Sequence, residues 1–187
     1  MKFSGNTANI THLTGALLRV SVSKAELLVS IIHPYVDEQQ RGFRRDRDSR
    51  LYIWNHRFEK RHAAPAGIGL QSFVQQVSGA RKLGVARIET FATGEAHDRR
   101  YNGYYVWALF GYDAPLTLAE QRLLLPPLRG AKTLNELFEL GGESWWQEHG
   151  TARRMVFELA AESTMMKRLR AYLRKKGLLE RYELELK

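Results

Sequence analysis

Gly67-Ile68-Gly69-Leu70-Gln71-Ser72-Phe73-Val74-Gln75-Gln76-Val77-Ser78-Gly79-Ala80-Arg81-Lys82-Leu83-Gly84-Val85-Ala86-Arg87-Ile88-Glu89 is the stretch whose reading decides the fold. Two glycines one residue apart at the mouth of a helix leave backbone N–H groups facing outward. The positive end of the helix dipole adds to their attraction for an anion. Leu70 to Lys82 reads as that helix, with Leu70, Phe73, Val74, Val77 and Ala80 at three- and four-residue spacing. Gly84 supplies a left-handed cap, and Val85 to Phe91 alternates as a strand does. Strand, loop, anion-holding turn, helix and strand form one unit of a phosphate-cofactor fold.

Upstream, Leu17 to Val22 and Glu26 to His33 read as a hairpin turned by Ser23-Lys24-Ala25, with Pro34 ending its second strand. Asp37 to Arg50 is charged, contains Gly42 and lacks apolar periodicity, which predicts a long exposed turn. Leu51 to Phe58 is the third strand. Downstream, Pro115 breaks the chain. Short helices are predicted over Leu118 to Leu125, before Pro126-Pro127, and over Leu134 to Leu140, before Gly141-Gly142. Trp145-Trp146 is too large a pair of indoles to leave in water. Met155 to Leu159 alternates. Ser163 to Lys176 is an amphipathic helix with Met165, Met166, Leu169, Tyr172 and Leu173 inward, and Lys167, Arg168, Arg170, Arg174 and Lys175 outward.

The chain has 187 residues, enough for one compact domain or one with a small appendage. Its 44% hydrophobic content, with 11% aromatic residues, can build a core. The absence of cysteine excludes disulfides, thiolate metal sites and a cysteine nucleophile, and fits a cytoplasmic protein. Met1 to Thr14 is polar and carries no apolar signal region, and no window approaches the roughly 18 apolar residues of a membrane helix. The six histidines show no ligand spacing, so no metal is expected, and there is no Gly-x-Ser-x-Gly elbow of a serine hydrolase.

A net charge of +9 points to an acidic partner: nucleic acid, an anionic cofactor or an acidic protein. Arg41, Arg44, Arg45, Arg47, Arg50, Arg57, Lys60 and Arg61 cluster, with Phe43, Tyr52, Trp54 and Phe58 interleaved and Asp46 and Asp48 partly neutralising them. Two readings stay open: a solvated loop, or a patch formed by Arg41, Arg44, Arg45, Arg47 and Arg50 that faces RNA, tRNA or an acidic protein. A dinucleotide fold competes for the glycine loop, because Glu89 lies about twenty residues beyond it. Against that, Ser72 stands where a third glycine is needed, and Glu59 to Ala66 separates strand from glycines.

The loop and helix resemble the central motif of the GNAT superfamily of N-acyltransferases, where Gln/Arg-x-x-Gly-x-Gly/Ala cradles the pyrophosphate of acetyl-coenzyme A. Asn102 to Tyr112 is similar to the later helix of that family, which closes on Tyr-x-x-x-Gly-Phe. The likeness covers Leu51 to Asp113. Ala64 departs from the Gln/Arg of the motif, and Trp107 stands where the family's proton-donating tyrosine falls. The helical pair that usually covers the substrate between the first two strands is missing, and Met1 to Thr14 is too short to hold it.

The resemblance implies an α/β fold with a mixed sheet of GNAT type. Residues 1–114 would be the cofactor-binding core, and 115–187 a mostly helical extension packed on it. It implies transfer of an acetyl or other acyl group from acyl-coenzyme A to a primary amine. The backbone of Ala64, Pro65, Ala66, Gly67, Ile68, Gly69 and Leu70 would hold the pyrophosphate. Arg57 and Phe58, at the strand end, would polarise the thioester through backbone N–H groups, and Trp107 would lie against the cofactor. Glu59, His56 and Glu89 are the candidate bases, Glu59 first. Alternation puts His56 and Phe58 on one face and Arg57 and Glu59 on the other. Tyr105, then Tyr104, is the candidate acid. A fold of this type without catalysis, serving as a binding module for nucleic acid or an acidic partner, is the second reading.

Overall fold

The computed structural model describes residues 16–98, 100–183 and 186; the reading of Met1 to Thr14 lies outside the described residues. The chain forms two compact units. One runs to Glu89 and resumes at Gly177, and the other is Thr90–Lys176. Among the described residues six strands neighbour one another in chain order in a mixed sheet, and seven helices accompany them.

In the first unit, β1 (Leu17–Val22) and β2 (Leu27–His33) form the expected hairpin, antiparallel with Leu17 opposite Ile32. Ser23 makes its turn: the Oγ accepts from the N–H groups of Ala25 and Glu26, both at 3.2 Å. The charged stretch expected as a long exposed turn is instead β3 (Val36–Arg45), antiparallel to β2 and to β4 (Leu51–Lys60). Only residues 46–50 turn, closed by Asp46 N–H to the Arg50 carbonyl at 3.0 Å. β3 does alternate, but between two polar faces. Gln39 and Arg41 point inward, 4% and 2% exposed, toward α1 (Ile68–Lys82). Gln39 Nε2 and Arg41 Nη2 donate to Ser72 Oγ at 2.9 and 3.2 Å. Beside them Asn55 and Gln76 exchange amide hydrogen bonds of 3.1 and 2.7 Å. Buried polar groups are tolerated when partnered in this way.

Apolar clusters flank that seam. Ala16, Leu18, Val29 and Ile31 pack with Leu27 and Phe43, and Val36 and Ile68 pack with Phe58 and Ala64. Leu70, Phe73, Val74, Val77 and Ala80 are buried, as the spacing predicts. The helix stops where expected: Gly84 has φ 68°, with Val85 N–H to the Ala80 carbonyl at 2.9 Å. β5 (Arg87–Ala92) follows. Ala86 N–H reaches the Leu51 carbonyl at 2.8 Å, so both strands start at the same end and β4 and β5 run parallel with α1 as the crossover. The returning segment carries α7 (Leu179–Tyr182), which the sequence pattern does not predict.

The second unit holds α2 (Gly103–Leu109), α3 (Leu118–Leu123), α4 (Leu134–Glu139), α5 (Glu143–His149), β6 (Arg153–Glu158) and α6 (Thr164–Lys175). The expected elements stand within a few residues of their predicted bounds, and α5 is new. Trp146 is fully buried in α5, while Trp145 is half-buried, its ring stacked on His149 at 4.7 Å. In α6, Met166, Leu169 and Leu173 are buried. Arg168, expected outward, is half-buried over the Phe138 ring at 4.8 Å, since its long apolar stem and planar head both suit an aromatic face.

Candidate active site

The glycine loop lies between β4 and α1. Ala64 N–H reaches the Arg61 carbonyl at 3.0 Å, and Ile68 N–H the Pro65 carbonyl at 3.3 Å, which tightens the chain into Gly67. Gly67 is the N-cap at φ 84°, a left-handed conformation that suits glycine, and no side chain caps the helix. The first intrahelical bond comes from Gln71 N–H to the Gly67 carbonyl, 2.9 Å. The N–H groups of Gly69 and Leu70, in the first turn, therefore have no helical acceptor. A Cβ on Gly67 would meet nothing within 4 Å, whereas one on Gly69 would touch Phe58 Cε1 at 3.5 Å. Space for an anion is thus on the Gly67 side. Pro65, Ala66 and Gly67 are exposed, while the Ile68 and Leu70 side chains are core. Ala64 packs against the Val36–Ile68 cluster, so what this loop can offer a phosphate is backbone.

β4 does not keep the expected alternation. Gln40 opposes Arg57 but Arg41 opposes Asn55, which leaves His56 as the extra residue of a bulge. Asn55 and Phe58 consequently both face α1, and His56, Arg57 and Glu59 share the outer face. The grouping of His56 with Phe58 is corrected: a bulge shifts the period by one. Glu59 is held by Arg57 at 2.8 Å, and Arg57 also meets Glu38 at 2.9 Å.

Glu89, the third candidate base, is buried, with Arg87 Nε at 2.6 Å. Arg87 also meets Asp46 at 2.7 Å and lies over the Tyr52 ring at 4.6 Å. The Arg87 hydrogen bond, against some desolvation and with help from Arg50, holds the Asp46 carboxyl at about 2.

The candidate acids belong to the second unit. Tyr104 is buried, and its hydroxyl donates to the Gln147 carbonyl at 2.7 Å. Trp146 Nε1 in turn donates to the Tyr104 carbonyl at 3.0 Å. Burial raises the Tyr104 phenol above its ordinary value, and Tyr105 adds to this. Tyr105 is half-buried and likewise raised, by burial first and then by the Glu143 charge. Trp107 packs edge-on against Phe110 and Tyr112, with ring centroids 5.8 and 5.3 Å apart. The structure therefore groups Arg57, Phe58, Glu59 and the loop Ala64–Leu70 in one unit, and Tyr104, Tyr105 and Trp107 in the other.

The basic patch is largely neutralised. Arg41 is buried against Ser72 and is no part of a surface patch, because β3 turns it toward α1. Arg44 pairs with Glu26 at 2.7 Å, and Arg50 with Asp46 and Asp48 at 3.2 and 3.3 Å. Arg45 donates to the Ser49 carbonyl at 2.7 Å. Arg47 is exposed. Glu26, which meets both Arg44 and His56, is a candidate site residue that sequence reasoning missed; the signal available was Gly42, a glycine inside what proves to be a strand.

Comparison of the chain with family models, with curated proteins and with solved structures finds no match. Among the described residues no helix is long and apolar enough to cross a membrane, and no three His, Asp or Glu side chains gather as a metal site requires.

Proposed function

We propose that this chain is an N-acyltransferase that moves an acetyl or other acyl group from acyl-coenzyme A to a primary amine. The observation that carries the reading is the start of α1: a fifteen-residue helix opened by a left-handed glycine, with no side-chain cap, at the crossover between parallel strands. Such a start presents backbone N–H groups and the helix dipole to an anion. The open space at Gly67 leaves an anion free to approach, with the backbone of Ala64 to Leu70 as the proposed cradle of the pyrophosphate. Bound acyl-coenzyme A supplies an activated thioester carbonyl.

Arg57 and Phe58, near the end of β4, are assigned to orient that carbonyl through backbone N–H groups. Within the second unit the Tyr104 hydroxyl is committed to the Gln147 carbonyl, which leaves Tyr105 as that unit's candidate acid. Its raised phenol keeps the proton through neutral pH.

Isothermal titration with coenzyme A tests the reading, followed by turnover of acetyl-coenzyme A with a generic primary amine. Binding at roughly micromolar Kd, about −8 kcal/mol, with acylated product is expected. No heat at millimolar coenzyme A overturns it. A non-catalytic module for nucleic acid is favoured by one feature, the exposed Lys167, Arg174 and Lys175 of α6. Retention of RNA without coenzyme A binding would select it.

A further inference from the structure

The outer face of the first unit holds a constellation built around a notch. Gly42, in β3, has no side chain, and the Glu26 carboxylate lies where one would be: a Cβ there would stand 2.0 Å from Glu26 Oε2 and 3.0 Å from His56 Nε2. Glu26 Oε2 takes the Arg44 Nε–H at 2.7 Å and meets His56 Nε2 at 3.1 Å. His56 is itself the extra residue of the β4 bulge, which turns its ring to this face beside Trp54, with centroids 6.5 Å apart.

The proton positions follow from this geometry. A carboxylate only accepts, so the 3.1 Å contact requires the hydrogen on His56 Nε2. Arg44 gives only its Nε–H to Glu26, and its Nη2 stands 3.4 Å from the same nitrogen; the shorter contact, 3.1 Å to the carboxylate, is what selects the Nε2–H tautomer. Neutral His56 therefore keeps its Nδ1 lone pair bare, on a side chain that is 29% exposed. Arg44 first, against desolvation and with His56 assisting, holds the Glu26 carboxyl below its ordinary value, so the orienting group stays ionised. The charged groups facing His56 are Glu26, just before β2, and Arg44, from β3. Arg57, next to it on β4, is tied to Glu38 and Glu59.

We infer that His56, oriented by Glu26, is the proton acceptor of the amine substrate, an assignment that rests on the acyl-transfer reading. The ammonium nitrogen of the substrate gives one proton to His56 Nδ1 and keeps the electron pair of the broken N–H bond. The imidazolium formed is stabilised through Nε2–H by the Glu26 carboxylate. The proton then passes to solvent and returns His56 to its resting tautomer. This displaces Glu59 and Glu89 as base, since each is bound to an arginine, whereas His56 is backed by a carboxylate and has a free lone pair.

The test combines 15N NMR of the imidazole nitrogens with pH–rate profiles for the parent, His56→Gln, His56→Ala and Glu26→Gln. Expected in the parent is Nε2–H with bare Nδ1 near neutral pH, and loss of that preference in Glu26→Gln. His56→Gln should lower kcat/KM roughly a hundredfold or more and abolish the acid limb. Glu26→Gln should lower kcat/KM with coenzyme A affinity unchanged, because the ring loses the acceptor that fixes its tautomer. Added imidazole should restore turnover to His56→Ala, which a merely structural histidine would not allow. A proton on Nδ1 in the parent, or an acid limb unchanged in His56→Gln, overturns this assignment and leaves acyl transfer standing. A parent that binds coenzyme A but acylates no amine overturns both.

Discussion

The two long helices begin in opposite ways. α6 opens on Ser163, whose Oγ accepts the Met166 N–H at 3.2 Å, and α3 and α4 open likewise on Thr117 and Thr133. α1 opens on Gly67 with no side-chain cap at all. A cap contributes about 1 kcal/mol. In the second unit α3, α4 and α6 are capped by side chains while the shorter α2 and α5, opening on Asn102 and Gly142, are not, so the contrast lies between the two long helices. Helix ends closed by their own side chains belong to stability, and one left open is available to a ligand.

The change that attacks this contrast most strongly is Gly67→Asp. A carboxylate at the mouth of α1 repels pyrophosphate, and coenzyme A affinity should fall roughly a hundredfold, a cost of several kcal/mol for apposed like charges. Gly67→Asn imposes the same φ strain without the charge, so it should bind coenzyme A clearly better than the aspartate. Equal losses in the two, read by titration calorimetry, would mean that the backbone conformation matters and the charge does not.

Next in size is Glu120→Gln, at a closed end. Glu120 Oε2 accepts the Thr117 N–H at 2.7 Å and meets Arg153 Nη1 at 3.1 Å. Burial opposes its charge, but Arg153 and the Thr117 N–H prevail and hold the carboxyl below 4.5. A lowered folded-state pKa contributes stability above the unfolded value, and that stability is lost as pH falls through the folded one. The variant should therefore lose about 2 kcal/mol at pH 7, some 4–8 °C in Tm. The difference from the parent should shrink once the pH drops below 4.5. Thermal melts across pH check this; a pH-independent difference would remove the charge from the account.

Ser163→Ala is the smallest, about 1 kcal/mol and roughly 3 °C. Neither this variant nor Glu120→Gln should change the coenzyme A titration. If either weakened binding as Gly67→Asp does, the division between closed and open helix ends would collapse.

The sequence made α1 legible because its inward positions, Leu70, Phe73, Val74, Val77 and Ala80, are apolar and Gly84 marks its end. β3 was illegible for the converse reason. Its inward positions include Gln39 and Arg41, which donate to Ser72, thirty-three and thirty-one residues away, and no local pattern announces a distant hydroxyl. His56 was legible as a candidate base, but the face it takes was hidden by the β4 bulge. Alternation is a rule for unbroken strands, and the slip between Arg57 and Asn55 exists only in the pairing with β3. The loop Ala64–Leu70 could be read because glycine reports backbone geometry directly. Glu26 could not, since its role depends on the space above Gly42, a residue sixteen positions on.

The division of the chain into units also sets an order in time. The second unit is contiguous, Thr90–Lys176, while the first is interrupted and takes back the segment from Gly177. In that segment the Leu186 carbonyl receives a hydrogen bond from Arg81 Nη1, across 105 positions of sequence. During synthesis at about 5–20 residues per second, the later-made unit has all its parts before the earlier-made one does. Between the emergence of Glu89 and that of Leu186 the first unit waits incomplete, for roughly 5–20 seconds at that pace. A nascent chain halted near Lys176 would thus expose the C-terminal end of α1 while already owning every residue of Thr90–Lys176.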